Sequence, residues 1–196
     1  MRIFIGIDLD LEVRGRIERF LEGVQGFAAE ARWVRPESLH ITLKFIGEQT
    51  PEQVESIAER LRRVEGRAFD LRLRGYGFFP TVKAARVFWI GIHAGRQLTE
   101  LAENVDVAAG EVGVPREERP YSPHLTLARA GGRSGSPKWR SGDGPNATFA
   151  VLDKRLAAMG DLDFGTMAAG EFILYQSQLS PGGSKYTKLQ RFALTG

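Results

Sequence analysis

Arg35-Pro36-Glu37-Ser38-Leu39-His40-Ile41-Thr42-Leu43 recurs later in the chain as Arg119-Pro120-Tyr121-Ser122-Pro123-His124-Leu125-Thr126-Leu127, with six of the nine positions identical. The chain has three histidines, and two of them hold the same place in this unit. The offset of 84 positions (124 − 40) also carries Phe4 onto Phe88, each inside an apolar run, Arg2 to Ile7 and Val87 to Ile92. The chain is therefore read as one plan used twice.

Working outward, Arg2 to Asp8 has the near-continuous apolar character of a strand buried on both faces. Asp10 can cap a helix carrying Val13, Ile17, Phe20, Leu21 and Val24 at helical spacing. The first histidine unit continues as His40 to Ile46, and strand parity sends His40, Thr42 and Lys44 one way and Ile41, Leu43 and Phe45 the other. Thr50-Pro51-Glu52-Gln53 opens a second helix with a capping box. Phe69 to Arg74 alternates as a half-exposed strand, and Gly75 to Pro80 is expected to turn the chain.

The second pass gives a strand over Val87–Ile92, a helix from Leu98 to about Gly113, and the second histidine strand. Gly131 to Gly144 reads as a Gly/Ser-rich surface loop. Asn146 is expected to cap a helix with the stripe Phe149, Leu152, Leu156 and Met159, and Glu171–Leu179 and Tyr186–Leu194 to form a hairpin across Ser180–Ser184. The expected fold class is α+β. It has two pseudo-symmetric lobes, roughly 1–80 and 84–196 of one domain spanning 1–196, with the lobe of the terminal strands left open, each a small, mainly antiparallel sheet backed by helices, with a cleft between.

With 196 residues, 42% of them hydrophobic, the chain can bury a real core. No apolar run nears the roughly 18 residues of a membrane span, so no membrane partner is expected. Without cysteine there is no disulfide, thiolate nucleophile or cysteine zinc site, which fits the cytoplasm. The formal charge of +3 suits an anionic partner only modestly.

Two copies of a His-x-Thr strand facing each other across a pseudo-twofold cleft would gather two imidazoles and two hydroxyls. One imidazole can accept a proton while the other donates. The threonine hydroxyls can donate to a tetrahedral anion between the rings, and phosphate or a phosphodiester is the natural ligand. No carboxylate holds a matched position in the two units, since Glu37 aligns with Tyr121, so no metal is assigned. The competing reading is that duplication preserved two pieces of core. His93 has no such context and reads as a strand-end surface residue.

These segments, together with Gly77-Phe78-Phe79-Pro80, Pro123 to Arg129 and Ser177 to Tyr186, resemble the bacterial and archaeal RNA 2′,3′-cyclic phosphodiesterases, the 2′-5′ RNA ligase family of the two-histidine phosphoesterase superfamily. The resemblance implies hydrolysis of a terminal 2′,3′-cyclic phosphate on RNA to a 2′-phosphomonoester, with reverse 2′-5′ ligation, no cofactor and a monomer. It implies His124 as general base, His40 as general acid, and Thr42 and Thr126 on the non-bridging oxygens. Arg129 is a phosphate ligand by the same analogy, although parity sets it opposite His124 unless the strand bulges first. Lys44 is the alternative cation. Tyr186 and Phe45 are candidates for the cleft rim, and Phe45 and Phe78 could stack on a base or belong to the core. Arg60, Arg62, Arg63, Arg72 and Arg74 are candidate RNA contacts. A cyclic phosphate on a small nucleotide and a non-catalytic RNA-end binding module are the alternative functions.

Overall fold

The computed structural model describes residues 1–131, 146–180 and 183–196. The elements run β1 (Arg2–Asp8), α1 (Leu11–Val24), β2 (Arg32–Trp33), β3 (His40–Glu48), α2 (Pro51–Leu61), β4 (Phe69–Phe79), β5 (Val87–Ala94), α3 (Arg96–Gly110), β6 (His124–Arg129), α4 (Ala150–Met159), β7 (Asp163–Ala169), β8 (Glu171–Ser180) and β9 (Gly183–Ala193). Among the described residues they make an antiparallel four-stranded sheet in the order β3-β1-β8-β9 and an antiparallel five-stranded sheet in the order β2-β6-β5-β4-β7. This is the expected α+β class with two sheets.

The division of strands is not the expected one. Sheet membership does not break near residues 80–84, because β4 joins the second sheet and the C-terminal β8 and β9 complete the first. β4 and β5 are joined by a short connection, and such neighbours pair directly. Gly75 to Pro80 is not a turn either: β4 runs on to Phe79, and Gly75, at φ +72°, sits where the β4–β5 register slips between Leu73 and Tyr76. The left-handed residue makes a bulge, and pairing resumes beyond it.

Local chemistry sets the helix starts. The Asp10 carboxylate accepts from Val13 N, and Thr50 and Gln53 form the reciprocal capping box. Asn146 does not cap α4, which begins four residues later with no side-chain cap; its side chain accepts from Thr148 N in a local turn. In α4, Leu152 and Leu156 are buried and Met159 is exposed. The Gly/Ser-rich loop beyond Gly131 and the hairpin tip at Pro181-Gly182 lie outside the described residues.

Each sheet has one face under helices and one toward the cleft. Ile3, Ile5 and Ile7 are fully buried in the main core, each burial stabilising by about 1.5–3 kcal/mol, while Phe4 turns the other way into a small cluster with Ile173, Tyr175 and Tyr186. In the second sheet Phe88, Ile90 and Ile92 are core, and Trp89 and Gly91 lie on the opposite face.

The histidine strands depart from regular pairing at equivalent places. Thr42 pairs with Gly6 and Lys44 with Ile5, leaving Leu43 extra; Thr126 pairs with Trp89 and Ala128 with Phe88, leaving Leu127 extra. An extra residue reverses side-chain parity beyond it. Lys44 therefore shares the core-facing side of Ile5 and is buried, with its ammonium bound to the Asp106 carboxylate of α3 and to Pro115 O. Phe45 and Arg129, at corresponding positions of the two copies, are turned onto the cleft face.

Asp106 also accepts from Arg116 Nε and Glu117 N, so one carboxylate gathers Lys44, α3 and the chain leading to the second histidine unit. Burial pushes the Asp106 carboxyl up, but these donors outweigh it and hold the group below its ordinary range. Asp106→Ala should cost about 3–5 kcal/mol in equilibrium urea unfolding, because it leaves the Lys44 charge buried without its partner; Lys44→Met combined with Asp106→Leu should cost less than Asp106→Ala alone. A double variant as unstable as the single one would show that the ion pair is not the term that matters.

Candidate active site

A cavity of about 600 Å³ bounded by β3, β6, α3 and residues 116–122 is lined by Thr42, Phe45, Tyr121, His124, Thr126 and Arg129 among others; His40 is not in that lining and sits against Phe4 and Tyr186. A 3-10 turn, Pro36–Ser38, leads into the first histidine strand and none leads into the second, yet one contact recurs at both entrances. Nδ1 of His40 lies 2.8 Å from Ser38 O, and Nδ1 of His124 lies 2.8 Å from Ser122 O. A carbonyl oxygen only accepts, so each ring carries its hydrogen on Nδ1 and titrates at Nε2. The repeated serine two residues before each histidine was visible in the sequence, although it is the backbone carbonyl that acts.

Aromatic contacts hold the rings. Tyr186 meets His40 edge-on at 5.0 Å and 86°, and Phe79 meets His124 edge-on at 5.0 Å and 83°. Phe4 lies 4.5 Å from His40, and Trp89 lies 6.4 Å from His124. Sequence reasoning missed Phe79 because it placed that residue in a turn. It also missed Tyr121, whose hydroxyl donates to Thr42 O at 2.9 Å and so ties the second unit to the first.

Arg129 is on the cleft face, as the bulge at Leu127 requires, and its charge acts on both imidazoles. Tyr186 is half-buried against His40 and close enough to influence Arg129. Phe45 is 50% exposed and is not core, whereas Phe78 is core, packed against Phe88 and Phe149. Lys44 lines the same cavity, but its ammonium is spent on Asp106 and Pro115. His93 is exposed, as read.

The two copies are not electrostatically equal. Opposite His40 stands Asp8, hydrogen-bonded by Leu9 N, Arg14 and Lys188; opposite His124 stands Gly91. Burial pulls His40 down to about 4, with Arg129 and Arg14 acting in the same direction and the Ser38 carbonyl and Asp8 opposing. Burial also lowers His124, with the Ser122 carbonyl opposing and Arg129 assisting. Among the described residues no three His, Cys, Asp or Glu side chains converge as a metal site would require.

Comparison with known proteins matches this geometry. The family model described as LigT like Phosphoesterase fits residues 7–89 and again 90–186. The chain belongs to this family. An RNA 2′,3′-cyclic phosphodiesterase of Methanothermobacter thermautotrophicus is 30% identical over 99% of this chain and 99% of its own. One of Archaeoglobus fulgidus is 32% identical over 98% of this chain and 99% of its own. The structure of E. coli LigT complexed with 3′-AMP superposes with a TM-score of 0.75 at 29% identity, covering 100% of this chain and 98% of that one. In this LigT-like phosphoesterase the double match of the family model coincides with the two copies of the histidine unit.

A pair of imidazoles passing a proton in opposite senses is competent when singly protonated. Both rings are harder to charge than free histidine, so kcat/KM should form a bell lying on the acid side of neutrality. The ascending limb should fall near about 4, where His40 loses its proton, and the descending limb below 6.5, where His124 does. Initial rates measured from about pH 3 to 9 check this. A descending limb above pH 7 would contradict it.

Proposed function

We propose that this LigT-like phosphoesterase hydrolyses the terminal 2′,3′-cyclic phosphate of RNA to a 2′-phosphomonoester, using paired imidazoles and no metal, and that it can run the reverse 2′-5′ joining. The observation that carries the reading is the pair of imidazoles with matched Nδ1 anchors, both within the field of Arg129 and each on a strand with its threonine. The names of the relatives support the substrate class. A monomer in the cytoplasm completes the proposal; the only membrane statement the structure supports is that no helix among the described residues is long and apolar enough to cross one.

In this reading one Nε2 takes a proton from water as its oxygen bonds to phosphorus opposite the 3′-oxygen. The P–O3′ bond breaks, and the second Nε2 delivers its proton to that oxygen. Thr42 and Thr126 hydroxyls donate to the non-bridging oxygens, and Arg129 offsets their charge. With His124 as base and His40 as acid, as the resemblance implies, the proton must sit on the ring that burial disfavours more. Bound phosphate would supply the compensating negative charge. After one turnover the proton has moved between rings and returns through solvent.

A small nucleotide as substrate is favoured by one observation. Four of the arginines expected to contact RNA are engaged in surface ion pairs, Arg60 with Glu111, Arg62 with Glu55, Arg72 with Asp163 and Arg74 with Asp161. A binding module without turnover is the third reading, and assay separates it at once.

Incubation with a cyclic-phosphate-ended oligonucleotide and with a nucleoside 2′,3′-cyclic phosphate should give the 2′-phosphate isomer, at a rate unchanged by EDTA. Rate loss on chelation with rescue by a divalent ion would sink the metal-free scheme. His40→Ala and His124→Ala should each lower kcat at least about 100-fold and each abolish one limb of the bell, with the double variant losing less than the product of the singles. Thr42→Ala and Thr126→Ala should lose less and keep both limbs.

A further inference from the structure

Beside Arg129 the fold places a second arginine that neither the motif nor the mechanism uses. β2 is a two-residue edge strand, and its register sets Arg32 directly opposite Arg129, with Trp33 opposite Ala128. Residues directly opposite share a face with Cβ atoms about 4.5–5.5 Å apart. Trp33 packs on the core residue Phe88, so Arg32 is on the cleft face with Arg129. Like charges directly opposite are destabilising. Arg2 of β1 adds a third positive charge to the field at Arg129. Among the described residues no carboxylate forms an ion pair with Arg32 or Arg129. Arg129 is half-buried and lines the cavity with His124, while Arg32 is exposed on the neighbouring strand.

We infer that Arg32 is a substrate-binding residue that takes the phosphate on the 5′ side of the terminal nucleoside, while Arg129 serves the reacting phosphate. The inference rests on the cyclic phosphodiesterase reading and deepens it. A 2′,3′-cyclic phosphate closes the 3′ end of a chain, so the next anion along the substrate can lie only on the 5′ side of the same nucleoside. Two long side chains leaving adjacent strands from one face can splay to two anions a nucleotide apart. A bound anion at each guanidinium also relieves their mutual repulsion. Arg32 thereby separates an RNA end from a bare nucleoside cyclic phosphate, a distinction that the paired arginines of α2 and β4 do not supply.

The test compares kcat/KM for a nucleoside 2′,3′-cyclic phosphate carrying a 5′-hydroxyl with the same compound carrying a 5′-phosphate. Wild-type protein should prefer the phosphorylated compound by about tenfold, the lower range for a charge-assisted bond to phosphate at an exposed site. Arg32→Ala should abolish the preference, bringing kcat/KM on the 5′-phosphate compound down to that on the 5′-hydroxyl compound, and Arg32→Lys should retain part of it. On a cyclic-phosphate-ended oligonucleotide, the slope of log(kcat/KM) against log[salt] should become shallower by about 0.7 in Arg32→Ala, one phosphate contact on a single strand. A wild-type enzyme indifferent to the 5′-phosphate, or an Arg32→Ala enzyme that keeps the preference, overturns the inference. Equal loss on both compounds also overturns it, because Arg32 would then act at the reacting phosphate or in folding. Wild-type protein that turns over neither compound removes the phosphodiesterase reading itself, a result unlike any of these.

Discussion

One extra residue in each histidine strand decides which side chains see the cleft. Up to Thr42 and Thr126, parity alone puts imidazole and hydroxyl on one face. Beyond them the bulges at Leu43 and Leu127 exchange the faces, so the next charged residue of the first copy goes into the core and the last residue of the second emerges beside the histidines. Without the bulge Arg129 would point into the helix layer, where an unpaired guanidinium is costly to bury. The bulges also place an aromatic ring, Phe45, where the other copy has a cation. Duplication thus gives matched imidazoles and hydroxyls, and divergence past the bulge gives the two walls different chemistry.

Symmetry between the two imidazoles is kept by the backbone. Each Nδ1 is tied to a carbonyl two residues earlier, a contact that any residue at that position could make provided the turn keeps its shape. The differences between the rings are imposed from outside the motif, by Asp8 with Arg14 and Lys188 on one side and by Gly91 on the other. This division suits a reaction in which two chemically identical groups must do opposite things. Their positions are common to both copies, while their environments belong to different strands.

Much of this was legible in the chain. The two plans of strand, helix, histidine strand, helix and strand are present, and the capping residues at Asp10 and Thr50 act as their spacing indicates. Thr42, His124 and Thr126 line one cavity, and the charge of Arg129 in that lining reaches His40 as well, because periodicity and duplication are both local signals. What was not legible depends on long-range pairing. Sheet membership of β4, β8 and β9 is decided by which edges lie close after folding, and a run such as Gly75 to Pro80 has turn composition whether it turns or bulges. The fate of Lys44 hung on a single unpaired leucine, which leaves no trace in residue type. Phe79 went unassigned because its run has turn composition, and Arg32 because its strand pairs with β6, remote in sequence.

The exchange of strands has a consequence for how the protein is made. β1 is synthesised before the other strands of its sheet, yet its inner neighbour is β8, with Ile3 paired to Gln176. Until the last part of the chain emerges, β1 can pair only with β3, and its other edge waits with its hydrogen bonds unmade. The second sheet, drawing on residues up to Ala169, can close earlier. Assembly of the first sheet is thus a late event governed by a distant contact, the slow kind. A chain cut short before β8 would carry both histidine units and still present an open apolar strand edge, a template for pairing with other nascent chains. Synthesis of β8 is therefore what lets the sheet that carries the first histidine strand close its inner edge.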